Sequence, residues 1–174
     1  MAKIKVNRVT NANVYVDGVN LLGRAEEVTP PSINQMMADH TGLGMVAKIK
    51  VPTGGLELTD ATFKWASFYS EVIRKAALAS QALQLQVRAS IDEYSGEGRI
   101  GETGLLISLS GMFHELSLGT FKKHEAVTQD MKFTAYYMNV VADGESLVEV
   151  DVFNNIYKVA GEDLLARFRS LIGG

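Results

Sequence analysis

Hydrophobic and polar residues alternate along most of the second half of the chain. Residues 83–91 place an apolar side chain at every second position, with glutamine, arginine and serine between them. A period of two is typical of a β-strand with one buried face. In residues 105–118 the alternation changes phase, because Phe113 belongs to one apolar series and Leu116 to the other. This change predicts a β-bulge or bend near residues 111–115.

Residues 131–141 form a different kind of strand, because both faces are apolar from Tyr136 onward. Two interpretations account for this pattern. One is a sandwich strand with a helix over its outer face, and the other is a strand at an interface between subunits. Asp143 and Gly144 follow with the chemistry of a tight hairpin turn, which leads into a further strand over residues 146–153.

The first half of the chain begins with a predicted hairpin. Residues 13–16 and 19–23 are extended segments, joined by Asp17 and Gly18, which favour a tight turn. Pro30 and Pro31 end the next extended piece, since proline cannot donate to a sheet ladder. Residues 32–38 are predicted to form a strand after them.

An extended β-arm with mobile ends is predicted over about residues 42–55. Residues 45–51 alternate Val46, Lys48 and Lys50 with Ala47, Ile49 and Val51. Lysines on one face discourage non-specific edge pairing. The apolar side of the arm needs either the domain body or another subunit to cover it. The glycines that punctuate the segment are Gly42, Gly44, Gly54 and Gly55.

Two α-helices are predicted. The first covers residues 69–79, with Ser67 or Ser70 as its cap and Trp65 and Phe68 anchoring it to the sheet. The second is terminal, with Glu162 and Asp163 in its first turn. The first helix has a stripe of Tyr69, Val72, Ile73 and Ala76, and the second a stripe of Leu164, Leu165, Phe168, Leu171 and Ile172. The predicted fold is therefore mainly β, an antiparallel β-sandwich or small barrel with about two helices.

Composition limits the size and the partners of this fold. The 174 residues, 47% hydrophobic, suffice for one domain, so residues 1–174 are predicted to form a single unit. The net charge of -3 shows no positive excess of the kind that binds phosphates, and Glu125 follows the one basic cluster at Lys122 and Lys123. There are no cysteines, which excludes disulfides and thiolate metal sites.

The sequence carries no catalytic or metal-binding pattern. Residues 96–101 (GEGRIG) match a dinucleotide-binding fingerprint, but strand-like residues follow where that site needs a helix, so they predict a glycine-rich hairpin loop. His40, His114 and His124 do not have the spacing of a known ligand set. We therefore expect no catalytic residue, no cofactor and no metal, and a protein that is not an enzyme. The first residues have no apolar run like a signal peptide, and no stretch reaches the roughly 18 apolar residues that span a bilayer, which predicts a soluble protein.

Three stretches resemble the major tail tube proteins of contractile-tailed phages and the similar tube subunits of R-type bacteriocins. They are residues 13–18 (NVYVDG), 42–45 (GLGM) and 143–173. The last is the most specific, with a hairpin, a VEVD strand, an asparagine-containing turn, the pattern K-V-x-G-x-D and a terminal helix. A GETG turn at residues 101–104 and the strand and turn at 133–144 also fit. The resemblance covers nearly the whole chain, although the long PTGGLELTD segment departs from it.

The resemblance implies a β-sandwich related to the type VI secretion tube protein. Six subunits would form a ring, and rings would stack into a hollow tube inside a contractile sheath. Strands from neighbouring subunits would join into one ring-shaped barrel around the lumen. The implied partners are other copies of the chain, the tail sheath protein, the baseplate and tail terminator proteins, and a tape measure protein in the lumen. DNA would pass without specific binding, and the protein would belong to the virion after synthesis in the host bacterial cytoplasm.

These implications assign two sets of candidate residues. The arm is predicted to contact the next ring, and the bulged strand and the two-faced strand are predicted to form the lumen sheet and its subunit seams. The inter-ring set is Gly42, Leu43, Gly44, Met45, Val46, Lys48, Lys50 and Val51. The seam and lumen set is Phe113, Leu116, Leu118, Phe133, Tyr136, Tyr137, Met138 and Val140. Because cations lining a channel would hold phosphates, the lumen is predicted to be neutral to acidic.

Two alternatives stay open at the level of the sequence. One is a ring protein of the type VI secretion kind, with a similar fold and different partners. The other is a small-ligand-binding β-barrel or an enzyme. A phage and a bacteriocin would share the same subunit chemistry and differ only in cargo.

Overall fold

The computed structural model describes residues 4–78 and 81–173, and β-strands make up most of them. The strands are β1 (Val6–Val16), β2 (Val19–Asn20), β3 (Ala25–Thr29), β4 (Ile33–His40), β5 (Ile49–Leu58), β6 (Ala61–Trp65), β7 (Leu83–Ser95), β8 (Gly98–Leu116), β9 (Gln129–Ala142), β10 (Glu145–Asp151), β11 (Ile156–Val159) and β12 (Glu162–Asp163). The helices are α1 (Ser70–Ala76) and α2 (Ala166–Ile172). Neither helix is long and apolar enough to cross a membrane.

Ten strands form one antiparallel sheet, which confirms the predicted fold class. Its main path runs β12-β11-β10-β9-β8-β7-β1-β2, and β3 joins through β6. Strand β9 links the two parts, since its first residues pair with β6 and its last residues pair with β10. The sheet therefore has two parts that separate at β9, one formed by β3 and β6 and the other by the strands of the main path. The side chains of its two parts meet in one core.

The core is built around four aromatic rings from β6, β8 and β9. Phe63 lies near Trp65, Phe113 and Phe133, with ring centroids 5.9–6.4 Å apart, and the Phe113 and Phe133 rings meet edge to face at 5.1 Å. All four side chains are buried. Offset and edge-to-face aromatic pairs are favourable beyond the area that they bury, so this cluster ties the two parts of the sheet together.

The phase change of residues 105–118 is confirmed as an irregularity between β8 and β9. The pairing register shifts between Ser110 and Gly111 and again between Phe113 and Glu115. At Gly111 the strands come so close that an added Cβ atom would lie 1.9 Å from the carbonyl oxygen of Thr134. Glycine is therefore required for this close approach.

Both predicted Asp-Gly turns are confirmed. Asp17 and Gly18 have φ angles of 47° and 76°, and Asp143 and Gly144 have 48° and 83°. Two consecutive positive φ angles define the hairpin turn that matches the twist of the flanking strands. These turns fix β1 against β2 and β9 against β10.

The predicted arm at residues 42–55 covers the connection between two paired strands, residues 41–48, and the first part of the second of those strands. Strands β4 and β5 pair only with each other among the described residues. We call residues 33–58 the ribbon and residues 41–48, which join its strands, the ribbon tip. Gly54 and Gly55 lie inside β5, at a register shift opposite residues 35–37, and Gly54 has a φ of 84°. The glycines thus form a bulge where the sequence suggested a mobile end.

Helix α1 is shorter than predicted, and neither predicted serine caps it. Its N-cap is Tyr69, which makes no side-chain capping hydrogen bond. Val72 and Ala76 are buried, as the stripe predicts, and Trp65 is buried beside them. Phe68 is exposed, with its ring 6.3 Å from that of Phe121, so it does not anchor the helix to the sheet. The predicted last residue, Ala79, lies outside the described residues.

The start of the terminal helix was also wrong. Glu162 and Asp163 form β12, because a turn with positive φ at Ala160 and Gly161 folds them back onto β11. Helix α2 begins later, at Ala166, and it buries none of its residues within the described chain.

Two further corrections concern β7 and β8. The predicted GETG turn at residues 101–104 lies within β8 and pairs with β7, and the chain turns instead at Gly96 and Glu97. Leu83, Leu85 and Val87 are buried as predicted, whereas Ala89 and Ile91 are only half-buried. The hairpin extends beyond the core here, so fewer side chains cover it.

Candidate functional site

No cluster of acidic residues and histidines within the described chain has the arrangement of a metal site. His114 lies on the surface beside Asp60, with Nε2 3.3 Å from a carboxylate oxygen. The hydroxyl of Thr134 donates to Asp60 at 2.7 Å and lies 3.0 Å from the other ring nitrogen of His114. These groups connect the loop before β6 to β8 and β9 and lie on an open surface, so they hold the loop in place.

The ribbon presents the predicted inter-ring residues to solvent. Leu43 and Val46 at the ribbon tip are fully exposed, and Met45 is exposed between them. The tip is ordered by short contacts: the Gly42 N–H donates to the Met45 sulfur at 3.1 Å, and Lys48 pairs with Asp39 at 2.9 Å. Of the remaining predicted residues, Gly44 is exposed in the ribbon tip, and Lys50 and Val51 are exposed in β5. Their contact with another ring is still a prediction.

The predicted seam and lumen residues fall into two groups. Phe113, Phe133 and Met138 are buried in the core, where their own subunit covers them. The others lie at or near the surface, and their role in a seam is still a prediction. They are Leu116 and Val140, partly buried against the core, Tyr136, Tyr137 and the exposed Leu118 beyond the end of β8.

The two tyrosines contact residues near the end of β10. The Tyr136 ring lies 5.1 Å from that of Phe153, and the Tyr137 hydroxyl donates to Glu149 at 3.3 Å. Burial raises the pKa of Tyr137, and the negative charge of Glu149 raises it further. Tyr137 therefore acts as a neutral hydrogen-bond donor.

On the face of β7, β8 and β9 opposite the core, six neighbouring side chains are polar and uncharged. Its pairs run Gln86 to Ser108 and Gln84 to Ser110, and Ser108 faces Asn139 on the next strand. We define the polar sheet face by Gln84, Gln86, Ser108, Ser110, Tyr137 and Asn139. Sequence analysis predicted that the glutamines face away from the core but assigned them no function. The sequence signal for them was a pair of uncharged amides at the outward positions 84 and 86.

One cation lies at the border of the polar sheet face. The Arg88 guanidinium lies 4.9 Å from the centre of the Tyr15 ring and donates to the Gln86 side chain at 3.0 Å. The aromatic ring and the amide oxygen both attract this positive charge. Arg88 is thus held beside Tyr15 and Gln86.

Charged side chains at the far end of β7 and β8 are paired with one another. Arg99 donates to Asp92 at 2.6 and 2.9 Å and to Glu102 at 2.7 Å. Burial raises the pKa of Asp92, but hydrogen bonds from Arg99, Thr10 and Tyr94 outweigh it and hold that pKa below its usual range. The Ser90 hydroxyl and then Arg99 lower the pKa of Glu102. The cluster therefore stays ionised at neutral pH, and one arginine with two carboxylates leaves it a net charge of -1.

Pairs of opposite charge also lie beyond the other borders of the polar sheet face. Lys132 pairs with Glu115 at 2.6 Å, and Lys158 pairs with Glu149 at 2.9 Å. In each pair the hydrogen bond from the lysine to the glutamate raises the pKa of the lysine. Partly exposed pairs of this kind contribute little to stability, but they leave few cations free beside the polar sheet face.

Helix α2 is tied to the sheet by Arg169 and exposes apolar residues. Arg169 donates to the Asp163 carboxylate and, at 2.7 Å, to the carbonyl of Asn155, and it lowers the pKa of Asp163. An open groove of about 560 Å³ runs between α2 and β5, with Leu56, Val152 and Phe168 among its lining residues. The predicted stripe of the helix is largely exposed, at Leu164, Phe168, Leu171 and Ile172.

The chain is similar to known phage proteins over almost its whole length. The family described as phage tail tube protein FII matches residues 6–173. A tail tube protein of Escherichia phage P2 is 27% identical over 167 residues, which covers 92% of this chain and 94% of that protein. A major tail tube protein of Serratia phage KSP20 is 29% identical over 154 residues, covering 87% and 86%.

Two solved structures have a partly similar fold. One chain of the anti-feeding prophage baseplate has a TM-score of 0.49 and 8% identity, covering 76% of this chain and 91% of that one. Hcp1 from Salmonella typhimurium has a TM-score of 0.46 and 12% identity, covering 84% and 97%.

Proposed function

This chain belongs to the phage tail tube protein FII family, and from that membership we propose that it is the structural subunit of the inner tube of a contractile phage tail or phage-like particle. Hexameric rings of the subunit stack into a hollow conduit for DNA delivery or membrane puncture. Its partners are other copies of itself, the surrounding sheath, the baseplate and terminator proteins, and a tape measure protein in the lumen. The protein needs no cofactor for this role, and it is made in the host cytoplasm before it enters the virion.

The observation that carries this proposal is the unsupported ribbon. None of its residues, all of which the structure describes, is buried, yet it carries exposed apolar side chains along its length. A two-stranded hairpin alone in water is at best marginally stable. Its base packs against the core at Ile33 and Leu58, and the half-buried Leu56 lines the open groove beside α2. A second subunit that covers the ribbon supplies the missing apolar contact, and the ribbon tip is the part that reaches the next ring.

The polar sheet face supports the conduit. We assign it to the lumen, because its six side chains carry hydrogen-bonding groups and no charge. Each phosphate held by a cation adds affinity to a nucleic acid complex, and such affinity would slow the passage of DNA. Amide and hydroxyl groups keep the wall wet without adding that attraction. The lining is thus neutral, with ion pairs at its borders.

The test changes the ribbon tip and leaves the body intact. In the variant Leu43→Ser with Val46→Ser, the two exposed apolar groups are removed from residues that contact no core side chain. We expect a folded subunit that no longer forms long tubes, as judged by circular dichroism and negative-stain microscopy. The matched control, Leu43→Met with Val46→Ile, keeps the tip apolar and should form tubes.

Three outcomes of the microscopy discriminate between the functions. Long tubes of the unchanged protein support the tail tube, isolated rings support a ring protein of the type VI kind, and monomers argue against both. Normal tubes from the serine variant would show that the ribbon tip is not the contact between rings.

A further inference from the structure

We infer that the open edge of β1 is the seam at which a strand of a second copy of this chain pairs, and that the side chains of Asn11 and Asn13 cover two of its backbone donors until that strand arrives. The inference rests on the proposed function, since it assigns the contact within a ring. It goes beyond that function by naming the edge and the groups that guard it.

Strand β1 is paired along its whole length on one side only. Its partner there is β7, from Val6 opposite Tyr94 to Val16 opposite Leu85. On the other side, within the described residues, β2 pairs with Tyr15 and Val16 alone. Residues 6–13 therefore lie at the margin of the ten-stranded sheet with one side open. Val6 and Val9 are exposed along this stretch.

The direction of the backbone groups follows from one hydrogen bond. The carbonyl of Val14 accepts from the N–H of Leu21 at 2.9 Å, so the polar groups of Val14 point away from β7. Because the N–H and C=O of one strand residue point to the same side and alternate residue by residue, those of Ala12 point the same way. Ala12 and Val14 thus present their N–H groups to the open edge.

Both of these N–H groups are covered by the side chain of the preceding asparagine. The Ala12 N–H donates to Asn11 Oδ1, and the Val14 N–H donates to Asn13 Oδ1, each at 2.8 Å. Asn13 is itself held in place, because its Nδ2 donates to Asn20 Oδ1 at 2.7 Å. Two donors that a neighbouring strand would use are therefore satisfied within the subunit.

An asparagine cover differs from the usual protection of a sheet edge. Edge strands are commonly blocked by inward-pointing charges, proline or a covering segment, which prevent pairing altogether. An amide side chain instead exchanges one hydrogen bond for another when a carbonyl of an incoming strand takes its place. The net free energy of that exchange is small. The edge is thus guarded in the free subunit and remains available for assembly.

Charge and topology favour a second copy of this chain as the molecule that pairs with the open edge of β1. At the β1 margin Arg8 is exposed, and at the opposite margin, on β12, Glu162 is exposed. Opposite charges at opposite margins of one sheet favour a head-to-tail contact between copies. A head-to-tail contact closes into a ring when the rotation between copies is right. Backbone pairing needs such an open margin, and β8 and β9 are each paired on both sides within the subunit.

The decisive variant is Ala12→Pro, which removes one edge donor. Proline is tolerated on an edge strand where the missing N–H faces outward, so the subunit should keep its circular dichroism spectrum and unfolding midpoint. Tube formation, measured by sedimentation and negative-stain microscopy, should fall by at least about tenfold, since loss of a central pairing bond shifts association by that order. The matched control, Ala12→Val, keeps the N–H and should form tubes.

A normal yield of tubes from a folded Ala12→Pro subunit would contradict the assignment of the seam to the open edge of β1. If neither the unchanged protein nor Ala12→Val forms tubes, the proposed function fails instead. Amide hydrogen exchange of the unchanged protein decides the matter if the proline variant does not fold. Amide exchange across residues 6–14 should slow by more than about tenfold on assembly. An unchanged exchange rate would also contradict the assignment of the seam to this edge.

The covering role of the asparagines has its own readout. With Asn11→Ala and Asn13→Ala the edge is uncovered, so the lag before polymerisation should shorten several-fold. Asn11→Asp with Asn13 unchanged keeps both acceptor oxygens and the hydrogen bond from Asn13 to Asn20, and should keep the lag. A lag that is unchanged or longer in the alanine variant would show that the two side chains do not guard the edge.

Discussion

Strand β6 and the ribbon that precedes it are both rich in apolar side chains but use them in opposite ways. In β6, Ala61, Phe63 and Trp65 are completely covered by their own subunit. In the ribbon, Met36 and Val51 remain exposed, as do most of the other apolar residues. Since burial of apolar surface is the main source of stability, β6 stabilises the free subunit. The ribbon contributes its apolar surface only when another molecule covers it.

This difference separates folding from assembly within one chain. Side chains of the first kind are needed before any partner is present, and their loss should unfold the subunit. Side chains of the second kind should be replaceable without unfolding it.

The largest effect is expected in the body, for Gly111→Ala. The new methyl group would collide with the backbone carbonyl of Thr134, and neither strand can move without disturbing the aromatic core beside it. The free energy of unfolding should fall by about 3 kcal/mol or more, measured by urea denaturation. Gly104→Ala is the control on the same strand, since a Cβ atom there meets nothing within 4 Å. A loss below about 1 kcal/mol would show that β8 and β9 can separate at this point.

A smaller effect, of opposite sign, is expected for Gln129→Met. Gln129 is buried opposite Trp65, and the Gln129 amide and the Trp65 indole nitrogen have no hydrogen-bond partner among the described residues. A buried polar group without a partner lowers stability, so an apolar side chain of similar shape should raise the unfolding free energy by about 1 kcal/mol. The exposed Gln84→Met serves as the control in the same denaturation experiment. Clear destabilisation by Gln129→Met would mean that the amide is hydrogen-bonded after all.

The smallest effect on stability is expected in the ribbon, for Val51→Ser. Val51 is exposed in β5, so the unfolding free energy of the free subunit should change by less than about 0.5 kcal/mol. The yield of tubes should nevertheless fall. Val87→Ser, at a buried position of β7, is the comparison and should destabilise the subunit several times more. Equal destabilisation by the two substitutions would remove the distinction between the regions.

Local signals made much of the body predictable from the sequence. The change of apolar phase near Phe113 revealed the irregularity in β8, because a bulge moves every later side chain to the other face. The Asp-Gly pairs revealed two turns, because each turn requires positive φ at adjacent residues. These features depend on neighbours in sequence and leave a trace there.

The ribbon and the terminal segment were harder, because distant contacts override local preference. Gly54 and Gly55 suggested a break, but pairing with β4 keeps them in a strand as a bulge. Glu162 and Asp163 suggested a helix start, but pairing with β11 makes them a strand. The sequence likewise made Phe133 a seam and lumen candidate without showing that its own core covers it. The open edge of β1 was invisible for the same reason, since an edge is defined by the strand that is missing beside it.

The close approach of Gly111 to Thr134 also fixes the pairing register of β8 and β9, which form part of the wall of the tube. A slip of β9 along β8 by one residue would bring the side chain of Ser110 or Met112 to a place where not even a methyl group fits. Every copy is therefore held in the same alignment of strands. A tube multiplies any irregularity of its repeating unit by the number of copies. One residue without a side chain thus helps to keep the bore even from ring to ring.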